Sequence, residues 1–121
     1  VGELAAARDA LGRGLEALRV GRFFEAHEEW EAVWVGATGD DRRYLQGLIQ
    51  VAAGCVHLAA GRRSPAASLL GFALAKLEGA PDDFAGLPTG EIREHARALA
   101  AELASGALPD PRPVLAGLSA P

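Results

Sequence analysis

At 121 residues, 50 % hydrophobic and 23 % charged, the chain has room for one core, in which roughly two-thirds of the extended surface is buried without metal or disulfide staples. This balance excludes the low-hydrophobicity, high-charge class of disordered chains, and no apolar run reaches the ~18 residues of a helical membrane span. A net charge of −4, with 12 basic residues scattered singly or in pairs, excludes the clustered Lys/Arg stripe on which nucleic-acid binding rests.

No basic-then-apolar leader opens the chain, so a soluble, cytoplasmic protein is expected. Seven Val, two Ile and two Thr leave too few β-branched residues for a sheet, whereas Ala and Leu abound. The expected fold class is therefore all-α. We expect a compact array of about five helices with the third at the centre, in one domain over residues 1–106, followed by a proline-rich tail over 107–121.

The first helix is expected from Glu3 to Val20, with Leu4, Leu11, Leu15 and Leu18 at helical spacing and Gly21 as its stop. The second begins near Arg22, carries Phe23, Ala26, Trp30, Val33 and Trp34 on one face, and stops at the turn between Gly36 and Gly39. Asp40 or Asp41 is the expected cap of the third, Asp41 to Ala60. Leu45, Leu48, Ile49, Val51, Ala52, Cys55, Val56 and Leu58 make that helix apolar around most of its circumference, which places it in the middle of the fold. Cys55, the lone cysteine in that apolar run, reads as a small buried hydrophobe. Ser64 and Pro65 read as N-cap and first residue of a fourth helix, with Leu69, Leu70, Ala73 and Leu77 inward and Gly79 and Pro81 ending it. A loop from Asp82 to Gly90, anchored by Phe84 and Leu87, leads to a fifth helix striped by Ile92, Ala96, Leu99 and Leu103 and stopped by Gly106. Pro109, Pro111, Pro113 and Pro121 make the tail extended, with Val114, Leu115 and Leu118 as packing residues.

A polar line on the second and third helices stands out against these apolar faces. At about 100° per residue, His27 falls about 40° and Glu31 about 80° from Phe23, among aromatic side chains. On the third helix Gln46, Gln50 and His57 fall about 300°, 340° and 320° from Arg43, one narrow line that holds both glutamines of the chain. The short connection makes the two helices antiparallel neighbours. Glu31 is then level with Gln46, Trp34 with Arg43 and His27 with Gln50. His57 lies about 10 Å farther along the axis, although side chains leaning toward their own N-termini bring the two imidazoles closer.

Two chemistries fit this placement. In one, the side chains form an internal network, open to a small polar ligand, in which Arg43 neutralises Glu31 and Gln50 satisfies His27. In the other, His27, Glu28 and Glu31 spell H-E-x-x-E, a variant of the zinc-protease H-E-x-x-H pattern. His27, Glu31 and His57 would then bind a divalent metal (zinc, iron or manganese), and Glu28 would serve as base to the metal-bound water of a hydrolase. A ferritin-type site needs Glu three residues before each His, where this chain has Phe24 and Gly54. Ser64, Ser68, Ser105 and Ser119 lack a nearby His in sequence. His95 reads as a surface histidine, and Trp30 and Trp34 read as core that can also wall the His27 pocket, which puts Trp34 in the candidate polar cluster with His27, Glu31, Arg43, Gln46, Gln50 and His57. A protein-binding module, or self-association through an apolar groove or the Leu-rich first helix, is a third reading.

The runs GRFFEAHEEWEAVW and RRYLQGLIQVAAGCVHLAAG resemble the family catalogued as domain of unknown function 309, small bacterial and archaeal helical proteins, over about residues 15 to 78. The resemblance implies a compact helix array. It also implies that Glu25, His27, Glu28, Glu31, Trp34, Arg43, Gln46, Gly47, Gln50 and His57 are motif positions. The family has carried the label of metal-dependent hydrolase without an established substrate, so the resemblance points to a place in the fold and leaves the molecular function unassigned.

Overall fold

The computed structural model describes Leu4 and residues 7–119, and is all-helical there apart from one isolated antiparallel bridge between Phe84 and Leu87. In chain order the described helices are α1 (Arg8–Arg19), α2 (Phe23–Trp34), α3 (Gly39–Ala59), α4 (Arg63–Leu77), α5 (Thr89–Ala104) and the single turn α6 (Arg112–Leu115). The expected start of the first helix at Glu3, and the tail's Pro121, lie outside the described residues. No described helix is long and apolar enough to cross a membrane.

The apolar stripes become the core. Leu11, Leu15 and Leu18 of α1, Trp30 of α2, Leu45, Leu48, Val51 and Cys55 of α3, Leu70 and Leu77 of α4 and Ile92 of α5 are all fully buried. Neighbouring helices pack in sequence order, α1 on α2, α2 on α3, α3 on α4 and α4 on α5, and α3 also touches α5, which makes it the central helix. Its glycines set how close α4 comes. A Cβ at Gly47 would lie 2.8 Å from Leu77 Cγ, and one at Gly54 would lie 3.2 Å from Leu70. At the other end of the fold the Trp30 indole rests on Gly14 and donates from Nε1 to the carbonyl of Leu11 at 3.1 Å.

The helix ends depart from expectation in an ordered way. None of the six described helices has a side-chain hydrogen bond at its N-cap. Helix α3 starts at Gly39 rather than Asp41, so Asp40 and Asp41 stand inside its first turn, where a carboxylate acts on the helix dipole rather than as a cap. Helix α4 starts at Arg63, which puts Ser64 and Pro65 within its first turn instead of at the boundary.

The C-termini are closed by the chain itself. After α1, Gly21 (φ 84°) donates to Leu18 and Arg22 to Ala17; after α3, Gly61 (φ 74°) donates to Leu58 and Arg62 to His57. These are Schellman pairs, which need a left-handed residue just past the helix. Arginines close others. Arg42 donates to the carbonyls of Trp34 and Ala37, Arg43 to those of Lys76 and Glu78, and Arg93 to those of Leu77 and Ala80.

The loop before α5 is anchored as expected by Phe84 and Leu87, both buried. The tail is not simply extended. Pro111 at the N-cap and Pro113 in the first turn occupy helix positions whose N–H would have no partner, so a one-turn helix forms through them. It buries Leu115, and Leu118 beyond it, while Val114 stays 38 % exposed.

Candidate functional site

Helices α2 and α3 follow one another across a short turn and pack together as a hairpin. Arg42, not Arg43, lies over the Trp34 ring, with its guanidinium carbon 3.7 Å from the centroid. On α2, His27 and Glu31 share a face one turn apart, and His27 Nε2 lies 3.3 Å from Glu31 Oε2. The Phe24 ring stacks on the His27 imidazole at 5.8 Å. His27 keeps 25 % of its side chain exposed and Glu31 keeps 55 %, so this end of the seam opens to solvent.

The expected network is not closed as drawn. Arg43 does not neutralise Glu31: its guanidinium turns to the C-terminus of α4, brought within reach by the close approach at Gly47, and its nearest carboxylate is Asp40 at 3.7 Å. Nor does Gln50 satisfy His27. His27 Nδ1 and Gln50 Oε1 are buried, and neither has a hydrogen-bond partner; Trp34 Nε1, on the same stripe of α2, is in the same condition. Gln46 is half-buried and Glu28 is exposed. His57 belongs to a different environment: the Schellman turn at Gly61 folds Arg62 back, and Arg62 Nε donates to His57 Nδ1 at 2.9 Å.

The metal set of His27, Glu31 and His57 is thus not assembled. Among the described residues no group of three or more His, Cys, Asp or Glu side chains is arranged to hold a metal ion. Only the His27–Glu31 pair of the proposed set is together. Cys55 offers no further ligand, because burial pushes its thiol up to about 12 and keeps it protonated.

Charge around the seam is one-sided. Helix α2 carries Glu25, Glu28, Glu29 and Glu31 and no Lys or Arg. Arg22 answers Glu25 at 3.0 Å, and Arg13 answers Glu29 at 2.9 Å, which raises the Arg13 pKa. Glu28 has no such partner among the described residues, and the partner of Glu31 is His27.

Sequence reasoning missed the capping role of Arg42 and Arg43, because their acceptors are main-chain carbonyls that carry no side-chain signal. It also missed the burial of Trp34 Nε1 without an acceptor. The one clue to the first was that 11 of the 12 basic residues are Arg, the side chain whose planar fork suits two carbonyls at once.

The family model described as Domain of unknown function (DUF309) matches residues 11–69. The match runs from α1 into α4 and contains every residue of the seam. No curated protein matches the chain.

Proposed function

We propose that the seam between α2 and α3, which lies within residues 11–69 matched by the DUF309 model, is a binding site for a small polar ligand. One observation carries the reading: His27 Nδ1 and Trp34 Nε1 on α2 and Gln50 Oε1 on α3 are three buried, unpartnered polar atoms on the two helices of one hairpin. A buried donor or acceptor without a partner costs about 1–3 kcal/mol. A seam that served only stability would replace such groups with apolar ones of similar shape, and Arg43 and His57, which could have closed a network, are engaged elsewhere. Exposure of His27 and Glu31 gives a small molecule its way in.

Gln50→Leu separates this reading from an internal network. With no His27–Gln50 bond to lose, the variant should keep or gain stability, by about 1 kcal/mol, in urea unfolding. A loss of that size, restored by adding His27→Leu, would show that the two side chains satisfy each other and would refute the ligand reading.

The His27–Glu31 pair favours a second reading, the metal-dependent hydrolase with His27, Glu31 and His57 as ligands and Glu28 as base. As they stand the three side chains do not fit a bound ion, since His57 Nδ1 is engaged by Arg62. Elemental analysis of protein purified without affinity tag or chelator tests it. Near-equimolar zinc, iron or manganese that disappears in His27→Ala is the result this reading requires, and metal-free protein is the result that ends it.

A further inference from the structure

We propose that α4 docks on α4 of a second copy of this chain, antiparallel and centred near Gly71. Helix α4 is apolar all the way round. Of its 15 residues only Arg63 and Lys76 are charged, and Lys76 lies on the flank against α3, its Cβ 3.0 Å from where a Gly47 Cβ would be. A helix of that composition is ordinarily buried on every side. Here the inward residues join the core, yet Ser64, Ala67, Ser68, Gly71, Phe72 and Ala75 are exposed, Phe72 by 59 %. The outward faces of α1, α2 and α5, by contrast, each carry several charged side chains. Gly71 is a second, independent sign. A glycine inside a helix weakens it, and Gly47 and Gly54 offset that by letting α4 come close to α3. Gly71 has nothing within 4 Å of the place its Cβ would take, so no contact inside the chain accounts for it, whereas a backbone approaching from outside does.

Charge identifies the occupant. The exposed face is neutral and is bounded by opposite charges, Arg63 at its N-terminal end and Glu78 at the C-cap. Neither has an ion-pair partner among the described residues: the Arg63 guanidinium donates to the carbonyl of Ala107, and Glu78 contributes its own carbonyl to Arg43. A two-fold axis at Gly71 sets residues whose numbers sum to about 142, twice 71, opposite one another. Arg63 of each copy then meets Glu78 of the other, and the two helix dipoles oppose. Parallel pairing would set like charge on like. At a net charge of −4 two copies repel, and a face without carboxylates is where they meet with least repulsion. Phe72 of each copy is set over the small side chains of the other, and Gly71 lets the backbones approach.

The test is sedimentation equilibrium of the intact chain from micromolar to millimolar concentration. A mass rising to that of a dimer and no further is expected, because a two-fold interface closes on itself. Phe72→Asp should weaken the dimer by about tenfold or more, since it places a carboxylate at a desolvated aromatic anchor. Gly71→Gln, for which the single chain has open space, should weaken it too. Glu78→Arg sets two arginines together at each end and should weaken it severalfold. In an Arg63→Gln background, which removes the charge but keeps an N–H donor for Ala107, Glu78→Arg should have no such effect. All four side chains changed lie at the surface or its edge, and circular dichroism melts of each variant confirm the fold. Monomer at every concentration would overturn the proposal and leave the face to a foreign chain. A dimer indifferent to Phe72→Asp and Gly71→Gln would place the interface elsewhere and overturn it too. Weakening by Glu78→Arg that persists in the Arg63→Gln background would overturn the antiparallel arrangement.

Discussion

Two glycines of one helix turn show how narrowly packing decides the worth of a residue. A Cβ at Gly14 would lie 2.2 Å from the Trp30 indole nitrogen, whereas one at Gly12 would meet nothing within 4 Å. Gly14→Ala should therefore cost about 2 kcal/mol through overpacking, and loosen the Trp30 to Leu11 hydrogen bond. Gly12→Ala should instead gain up to about 1 kcal/mol from helix propensity. Urea unfolding followed by far-UV circular dichroism checks both. Cys55 gives a pH prediction of definite sign. Burial raises its thiol from 9.0 to about 12, so the native state holds it neutral while the unfolded chain ionises it near the ordinary value. Its contribution is complete below that value and is lost as pH rises toward the native one. The stability advantage of the native protein over Cys55→Ala should thus shrink with rising alkalinity, and at neutral pH the folded thiol should resist iodoacetamide.

At the scale of the element, the hairpins are held by arginines that belong to one helix and close the end of another. Arg43 of α3 donates to Lys76 O at 3.0 Å, in the last turn of α4, and to Glu78 O at 3.2 Å, at its C-cap. A cation there opposes the negative end of the helix dipole and satisfies carbonyls that would otherwise have no partner. Arg43→Ala should destabilise by about 1 kcal/mol, a figure kept low because the side chain is partly solvated. Arg43→Lys should restore only part of that, since an ammonium lacks the planar fork that spans two carbonyls. Thermal unfolding of the two variants measures the difference. The same logic explains where reading the sequence succeeded and failed. Stripes such as Ile92, Ala96, Leu99 and Leu103 were legible because burial follows the helical period. The N-caps expected at Asp40, Asp41 and Ser64 were not realised, because each helix starts early enough to place these residues in its first turn.

Across the whole molecule, the tail completes the core rather than trailing from it. Leu115 is fully buried and Leu118 is 2 % exposed, α6 touches both α1 and α5, and Arg63 of α4 donates to Ala107 O at 2.7 Å. Each buried leucine is worth about 2 kcal/mol of transfer free energy. Truncation after Gly106 should lower stability by a few kcal/mol in urea unfolding; unchanged stability would mean that the tail is dispensable.

The candidate site divides along the same line. The His27–Glu31 pair was legible because residues four apart on a helix meet wherever that helix sits. The fate of Arg43 and His57 was not. Arg43 finds its acceptors 33 and 35 residues away, on a helix admitted by the missing side chain at Gly47, and His57 is claimed by an arginine folded back across a turn. By itself the sequence determined the helices, their buried faces and the central place of α3, since these follow from periodicity and local sterics. Only the tertiary structure decided which polar groups of the seam found partners and which did not, because a hydrogen bond is won by whichever group the packing brings within 3 Å, and that is a property of the assembled fold.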